Sequence, residues 1–179
     1  MKYRDETRKE RYEKKRASAK TYPISIACVN FMHDGNLGYL IRAASCFGAQ
    51  HLHVIGNVPS RKLLNPPSGG LYDYVEIMQY KDPGEFLLYA KHQCINIVAA
   101  EIDQAAVPLH EYVFDFRRPT CIFVGHEQSG VPATVMISSD VVQIPMPGVG
   151  YCLNTAQTAN ILMYEAVRQY DSFVRESSP

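Results

Sequence analysis

Three clusters of polar residues and glycines each follow an apolar segment of this sequence. In open α/β sheets, ligands bind beyond the carboxyl ends of strands, where such clusters would lie. The first cluster runs from Asn30 to Gly38 and continues to Arg42. Arg42 comes six residues after Asn36 and one helical turn after Gly38, so on a helix it would project toward a bound anion. The same residues are also consistent with a surface arginine and a helix-capping asparagine.

The second cluster, Gly125 to Gly130, reads Gly-x-Glu-x-x-Gly with Glu127 as its acid. Its glycines would let backbone amides and carbonyls face a ligand closely. It lacks the spacing of a dinucleotide-binding loop, and no phosphate-loop lysine follows it. A tight turn between a strand and a helix would explain the pattern equally well.

The third cluster begins with a loop rich in proline and glycine at 145–150 and continues through Cys152, Leu153 and Asn154. An apolar helix follows, so the loop would lead into a helix N-terminus with free backbone donors. In the simpler interpretation, Asn154 does no more than cap that helix.

The periodicity of apolar residues predicts the elements that position these clusters. We predict strands at 24–29, 51–55, 74–77, 95–100, 121–124 and 141–144. We predict helices at 37–47, 82–92 and 154–173, a turn at 33–36, a loop at 56–70, and a helix or mobile arm at 1–20. This alternation predicts an α/β fold with a mainly parallel sheet and helices on both faces.

The last predicted helix is apolar around nearly its whole circumference, which indicates burial on several sides. In a chain of 179 residues a second subunit is the simplest partner, so we expect a homodimer. On this interpretation Ala159 and Met163 would lie at the interface.

Composition narrows the class of protein. Apolar residues make up 46% and charged residues 20% of the chain, as in ordinary globular domains, and no apolar run reaches the roughly 20 residues of a membrane span. The charged N-terminus does not resemble a signal peptide, so we expect a cytoplasmic protein. The five cysteines are odd in number and include no C-x-x-C pair, so we expect neither a disulfide framework nor a metal site.

Charge is distributed unevenly although the net charge is zero. Residues 1–20 hold nine of the eighteen Lys and Arg and four acidic residues, which gives that segment a charge of +5 and the remainder −5. Such a basic arm on residues 1–20, ahead of a domain at 21–179, is suited to RNA phosphates. The alternative is a solvated helix of mixed charge.

In their order and spacing, the three clusters resemble the three motifs of the SpoU/TrmH family within the SPOUT methyltransferases, over about residues 23–170. The resemblance implies a deep C-terminal trefoil knot, S-adenosylmethionine as cofactor, a homodimer, and methylation of a ribose 2′-hydroxyl in RNA. It implies tRNA more than rRNA, because family members with added RNA-binding domains are often the rRNA enzymes.

The resemblance also implies roles for particular residues. Arg42 matches the family's catalytic arginine, and Asn36, Glu127 and Asn154 match polar residues of its active site. The implied cofactor-binding positions are Gly125, Ile144, Cys152 and Leu153, together with the backbone near Ala99 and Ala100.

Two positions depart from the family pattern. Cys152 stands where serine is usual, and Gln157 replaces an apolar residue. Three functions therefore stay open: an active tRNA or rRNA methyltransferase, an RNA-binding SPOUT protein whose catalysis is weak or lost, and a nucleotide-binding protein unrelated to methylation.

Overall fold

The structure, a computed structural model, describes residues 6–177. Residues 1–5 of the predicted arm and residues 178–179 of the predicted domain lie outside this range. The helices are α1 (Arg8–Arg16), α2 (Asp34–Phe47), α3 (Arg61–Leu64), α4 (Pro83–His92), α5 (Ala133–Ile137) and α6 (Thr155–Glu176). The strands are β1 (Ile24–Val29), β2 (His51–Ile55), β3 (Glu76–Tyr80), β4 (Asn96–Ala100), β5 (Val107–Pro108), β6 (Thr120–Val124) and β7 (Asp140–Gln143).

One sheet contains all seven of these strands, in the order β3-β2-β1-β6-β4-β7-β5, and every pairing between them is parallel. Alternating residues of β6 face opposite ways: Ile122 packs with α2 and α6, whereas Phe123 packs with α4 and α5. Helices therefore cover both faces, which confirms the predicted α/β fold.

This strand order determines where the three clusters meet. β6 lies between β1 and β4, and β7 lies on the other side of β4. The first cluster follows β1, the second follows β6 and the third follows β7. Since parallel strands end at the same edge, all three clusters begin at one edge of the sheet.

Several predicted boundaries were wrong. Helix α2 begins at Asp34 rather than at residue 37, and the predicted loop 56–70 contains α3. The strand predicted at 74–77 lies at Glu76–Tyr80, because Tyr74 belongs to a short 3-10 helix and its ring packs on Tyr12 of α1. Helix α5 and strand β5 were not predicted, since each is too short to show a period.

The expectation that Ala159 and Met163 form an intersubunit contact was also wrong. Both are fully buried within the single chain, where α6 packs against α2 and the sheet. The outward face of α6 carries a stripe at helical spacing that includes Gln157, Ile161 and Tyr164, and Tyr164 is 61% exposed. No helix in residues 6–177 is long and apolar enough to cross a membrane.

A buried histidine makes the stability of this fold sensitive to acid. His53 on β2 is fully buried, and its Nδ1 lies 2.9 Å from the Tyr80 hydroxyl, while its Nε2 has no partner within residues 6–177. Burial, with a smaller contribution from His51, lowers the pKa of His53 from 6.5 to about 4. Between about pH 4 and pH 6.5, His53 is therefore neutral in the folded protein and protonated in the unfolded chain.

We expect the free energy of unfolding to fall by about 2 kcal/mol between pH 7 and pH 5. Stability is lost on the acid side because only the unfolded state gains the proton once the pH drops below about 6.5. Urea titrations at the two pH values measure this difference. His53→Leu should remove most of it, and His92→Leu, at an exposed position on α4, should not. An unchanged pH dependence in His53→Leu would contradict the assignment.

Candidate active site

Glu127 connects the first and second clusters. Its carboxylate accepts hydrogen bonds from the backbone N–H groups of Met32 (2.9 Å) and His33 (3.3 Å) and from the side-chain amide of Asn36 (2.6 Å). His33, at the N-cap of α2, makes no capping hydrogen bond with its own side chain. Glu127 thus supplies from another segment the acceptor that a helix N-terminus needs.

The charge state of Glu127 follows from these contacts. Partial burial would raise its pKa, but hydrogen bonds from the backbones of Met32 and Glu127 and from Asn36 outweigh burial, so the net shift is downward. Glu127 is therefore a carboxylate at neutral pH. With its oxygens already occupied, it is suited to fixing the loop rather than to donating a proton.

Asn36 and Asn154 extend this network to the third cluster. The Asn154 side-chain amide donates to Oδ1 of Asn36 at 3.0 Å, and Oδ1 of Asn154 accepts from the backbone of Ala156 at 2.9 Å. Asn154 caps α6, as the simpler interpretation held, and also joins the clusters. Asn36 is no cap, because it lies inside the first turn of α2 and is only 6% exposed.

A second hydrogen bond connects α6 to the second cluster, residues 125–130, which we call the Gly125 loop. The hydroxyl of Thr155 donates to the Gly125 carbonyl at 3.1 Å. A side chain at Gly125 would lie 2.3 Å from the carbonyl carbon of Gly130, so only glycine fits there. The Gly-x-Glu-x-x-Gly spacing is thus required for the loop to fold back closely on itself.

A cavity of about 590 Å³, which we call the edge cavity, opens where these segments meet. Its lining includes five of the six predicted cofactor-binding residues, together with two of the predicted catalytic residues: Ala100, Gly125, Ile144, Cys152, Leu153, Glu127 and Asn154. Within residues 6–177, the backbone of residues 146–153 makes no hydrogen bond to the protein, and Met146 and residues 151–153 of this segment line the cavity. The cavity therefore combines an apolar lining with unused backbone donors and acceptors.

Arg42 lies on α2 in a neighbouring groove of about 710 Å³, the Arg42 groove. Asn154 lines both the groove and the edge cavity. The Arg42 side chain is exposed and makes no hydrogen bond or ion pair with the described part of the chain. Its guanidinium is thus free to bind an anion next to the edge cavity.

Residues 23–164 match the family described as the SpoU rRNA Methylase family. The chain belongs to this family. The match covers all three clusters, so it extends over the whole site just described.

Three similar proteins place this SpoU family member among RNA-modifying enzymes. The tRNA (guanosine(18)-2′-O)-methyltransferase of Escherichia coli K12 is 27% identical over 166 residues, which cover 89% of this chain and 71% of that protein. The A. aeolicus TrmH/SpoU tRNA modifying enzyme has a TM-score of 0.78 and 26% identity, covering 96% and 88% of the two chains. The SpoU methyltransferase AviRb from Streptomyces viridochromogenes, solved with AdoMet, has a TM-score of 0.74 and 28% identity, covering 88% and 64%.

Ala99 is the one predicted cofactor position that the structure does not bring to the edge cavity. It is fully buried and packs with the residues under α4 and α5, on the opposite side of the sheet from its neighbour Val98. Alternation along β4 explains the difference, because successive side chains point to opposite faces. Ala100, one residue later at the strand end, does line the cavity.

Sequence reasoning missed Glu101, which follows β4 at the same edge. Its carboxylate accepts from the backbone of Val131 at 2.7 Å and from that of Ile102 at 3.0 Å, and it lines the edge cavity. Glu101 thereby holds the far end of the Gly125 loop while Glu127 holds the near end. Its position directly after a buried strand was the available signal.

Cavity volume alone would have indicated a different site. A larger space of about 830 Å³ lies toward α4 and α5 and shares only His126 and Gly130 with the edge cavity. It contains none of the predicted catalytic or cofactor-binding residues. In residues 6–177 there is no group of three or more His, Cys, Asp or Glu placed to hold a metal ion.

Proposed function

We propose that this chain is an S-adenosylmethionine-dependent RNA methyltransferase that methylates a ribose 2′-hydroxyl, with tRNA as its substrate. The observation that carries the proposal is the hydrogen-bonded chain from Glu127 through Asn36 to Asn154. It joins the three SpoU motifs between the edge cavity and Arg42. The coverage of 88% of the A. aeolicus tRNA modifying enzyme favours tRNA over rRNA.

The residues of the edge cavity fit S-adenosylmethionine. A volume of about 590 Å³ lies within the range of small-molecule sites. Ile144 and Leu153 offer apolar surface to an adenine ring, and the unused backbone of 146–153 offers it hydrogen bonds. When bound, this cofactor supplies a methyl group on a sulfonium, a strong electrophile.

The chain's own residues would then act on the RNA. A ribose hydroxyl is a poor nucleophile until its proton leaves. A guanidinium stays protonated in proteins, so Arg42 is poorly suited as a base. We assign it instead to binding a neighbouring phosphate and stabilising the developing alkoxide. The hydroxyl proton would pass to solvent water as the methyl group moves to the oxygen and the sulfonium becomes a neutral thioether. Asn36, Glu127 and Asn154 would hold α2 and α6 so that these groups stay aligned.

The test is transfer of tritiated methyl groups from S-adenosylmethionine to purified tRNA and to rRNA. We expect incorporation into tRNA, located by mass spectrometry as a 2′-O-methylnucleoside that is missing from cells lacking the protein. Incorporation into rRNA alone would leave the reaction standing and overturn the substrate. A chain that binds the cofactor but methylates neither RNA would support an RNA-binding protein with lost catalysis.

Cys152 is the feature that favours this second function. It lines the edge cavity where the family usually has serine, and a thiol donates weaker hydrogen bonds than a hydroxyl. We expect Cys152→Ser to keep or raise the rate of methyl transfer, measured under single-turnover conditions. Cys94→Ser, at an exposed cysteine that lines neither the edge cavity nor the Arg42 groove, is the control. A Cys152→Ser rate more than about tenfold lower would identify the thiol as a specific adaptation.

We also propose a homodimer that forms through the outward stripe of α6. Tyr164 and Ile161 on this stripe are exposed apolar residues, and Gln157 of the same stripe lines the Arg42 groove. A subunit packed there would border the groove on its Gln157 side and exclude water from that side, leaving Arg42 open to RNA.

Tyr164→Asp should convert the dimer to a monomer of about 20 kDa in sedimentation at micromolar concentration. Leu88→Asp is the matched control, since Leu88 on α4 is equally exposed on the opposite face of the sheet. A wild-type protein that sediments as a monomer, or a Tyr164→Asp dimer, would contradict the proposal.

The trefoil knot is likewise a proposal. Three observations support it: β6 inserts between β1 and β4, β7 returns beyond β4, and α6 then crosses back to pack on α2. An experimental density map that traces the chain continuously through residues 95–176 is the test.

Within this architecture we assign residues 21–179 to the methyltransferase domain and 1–20 to an appended basic segment. We place the protein in the cytoplasm only because an enzyme must share a compartment with its RNA, and cell fractionation tests this.

A further inference from the structure

The basic helix α1 contacts the rest of the protein at a loop that also borders Arg42. This Gly69 loop comprises residues 65–70. The Gly69 carbonyl accepts a hydrogen bond from the Tyr12 hydroxyl at 3.1 Å and another from Nη1 of Arg8 at 3.3 Å. A methyl group added to the α-carbon of Gly69 would lie 3.7 Å from Nη1 of Arg42. One buried residue thus accepts hydrogen bonds from α1 on one side and faces the guanidinium on the other, where an added β-carbon would be in van der Waals contact with it.

Short backbone hydrogen bonds and close packing make the Gly69 loop rigid. Backbone hydrogen bonds of 2.9 to 3.1 Å close it within a few residues. Gly69 itself has φ +70, a conformation that other residues adopt only with strain. The loop also presses on α2, since a side chain at Gly38 would lie 2.4 Å from Cγ of Pro67. Gly38 is one helical turn before Arg42, so the loop occupies the face of α2 that bears the arginine.

Few other contacts constrain the position of the Arg42 side chain. Its side chain is exposed, has several rotatable bonds, and has no hydrogen-bond acceptor or counter-ion in the described part of the chain. Packing alone therefore limits where the guanidinium points.

We infer that α1 is a positioning element for Arg42: Tyr12 holds the carbonyl of Gly69, and the Gly69 loop restricts the guanidinium to the groove. This inference rests on the proposed methyltransferase function. It assigns Tyr12 a role in turnover separate from any binding of RNA phosphates by the exposed lysines of α1.

Three variants separate these roles. Tyr12→Phe keeps the ring that packs on Tyr74 and removes only the hydroxyl. We expect kcat to fall roughly three- to tenfold, as for loss of one ordering hydrogen bond, with KM for S-adenosylmethionine unchanged.

Tyr74→Phe is the matched control, because its hydroxyl anchors α1 through Glu13 without contacting Gly69. It should leave kcat within about twofold. Replacing Lys9 and Lys15 with alanine should raise KM for RNA without lowering kcat.

Hydrogen exchange of the Ser68, Gly69 and Gly70 amides, measured without RNA or cofactor, tests whether Tyr12 orders the Gly69 loop. These amides should exchange faster in Tyr12→Phe than in wild type and stay unchanged in Tyr74→Phe. Absence of methyl transfer by the wild type would refute the proposed function, and the exchange rates would still decide whether Tyr12 orders the loop. Equal kcat losses in Tyr12→Phe and Tyr74→Phe, or unchanged kcat and exchange in Tyr12→Phe, would overturn the inference.

Discussion

Arg42→Ala is expected to lower the single-turnover rate of methyl transfer to RNA by at least about a hundredfold, the usual cost of removing a group that stabilises transition-state charge. Cofactor affinity should stay within about twofold of the parent value. The reason is spatial: Arg42 lines its own groove and is absent from the lining of the edge cavity. In the proposed role, its removal would therefore take away only a contact with the RNA and with the developing alkoxide.

The chemistry of the guanidinium makes the expectation sharper. Arg42→Lys keeps the positive charge and loses the planar fork that grips a phosphate with two hydrogen bonds. We expect this variant to fail nearly as badly as Arg42→Ala. Arg117→Ala is the control, because Arg117 is 82% exposed and pairs with Asp115 ahead of β6, at the other end of the strand from the site.

Rates with saturating tRNA and calorimetric titration with S-adenosylmethionine provide the two readouts. Near-normal turnover in Arg42→Lys would refute the role assigned to the guanidinium. Loss of cofactor affinity in Arg42→Ala would show that the groove and the edge cavity are one site rather than two.

Glu127→Ala is expected to destabilise the protein and inactivate it together. The substitution leaves the N–H groups of Met32 and His33 and the amide of Asn36 without their acceptor. Hydrogen bonds to a charged group contribute about 1.5–3 kcal/mol each, and partial exposure to water reduces the sum. We expect a net loss of about 3 kcal/mol, or a fall in Tm of roughly 6–12 °C for a domain of this size.

Glu127→Gln separates charge from shape, because it retains one acceptor oxygen and should lose less stability. Ser129→Ala, at an exposed position of the same loop that lines neither the edge cavity nor the Arg42 groove, should change neither Tm nor activity. The lowered pKa of Glu127 adds a pH test. Its stabilising contribution is complete above the ordinary glutamate pKa of about 4.3 and is lost as the pH falls through the lower folded value.

Thermal unfolding at pH 7 and in the acid range measures both effects. A Glu127→Ala protein with unchanged Tm would show that water replaces the carboxylate at no cost. An active Glu127→Ala enzyme would show that the network joining the three motifs is dispensable for catalysis.

Local patterns in the sequence were sufficient for the parallel sheet. The strands around Ile26, Val54 and Ile122 are short apolar runs bounded by turn residues, and the structure confirms each of them. Chirality and chain connectivity then leave few ways to arrange alternating strands and helices. The convergence of three clusters at one sheet edge follows from the same rule. The individual cavity-lining residues named in advance came instead from the resemblance to the SpoU/TrmH family.

Other features depended on partners distant in sequence. Helix α2 starts three residues before its apolar period does, and Glu127, about ninety residues away, accepts hydrogen bonds from the backbone directly ahead of it. Tyr74 was predicted to lie in a strand, but its ring packs on Tyr12 of α1 instead.

Only the packing of the helices on the sheet determined which face of its strand or helix becomes buried. Ala99 and Ala100 are alike in sequence, yet only Ala100 reaches the edge cavity. Ala159 and Met163 belong to an all-round apolar helix, and packing against α2 buries them within one subunit. The sequence by itself determined which segments are apolar and which residues can do chemistry. The tertiary structure decided which groups those residues meet, because hydrogen-bond partners and buried faces depend on distances that the local sequence does not specify.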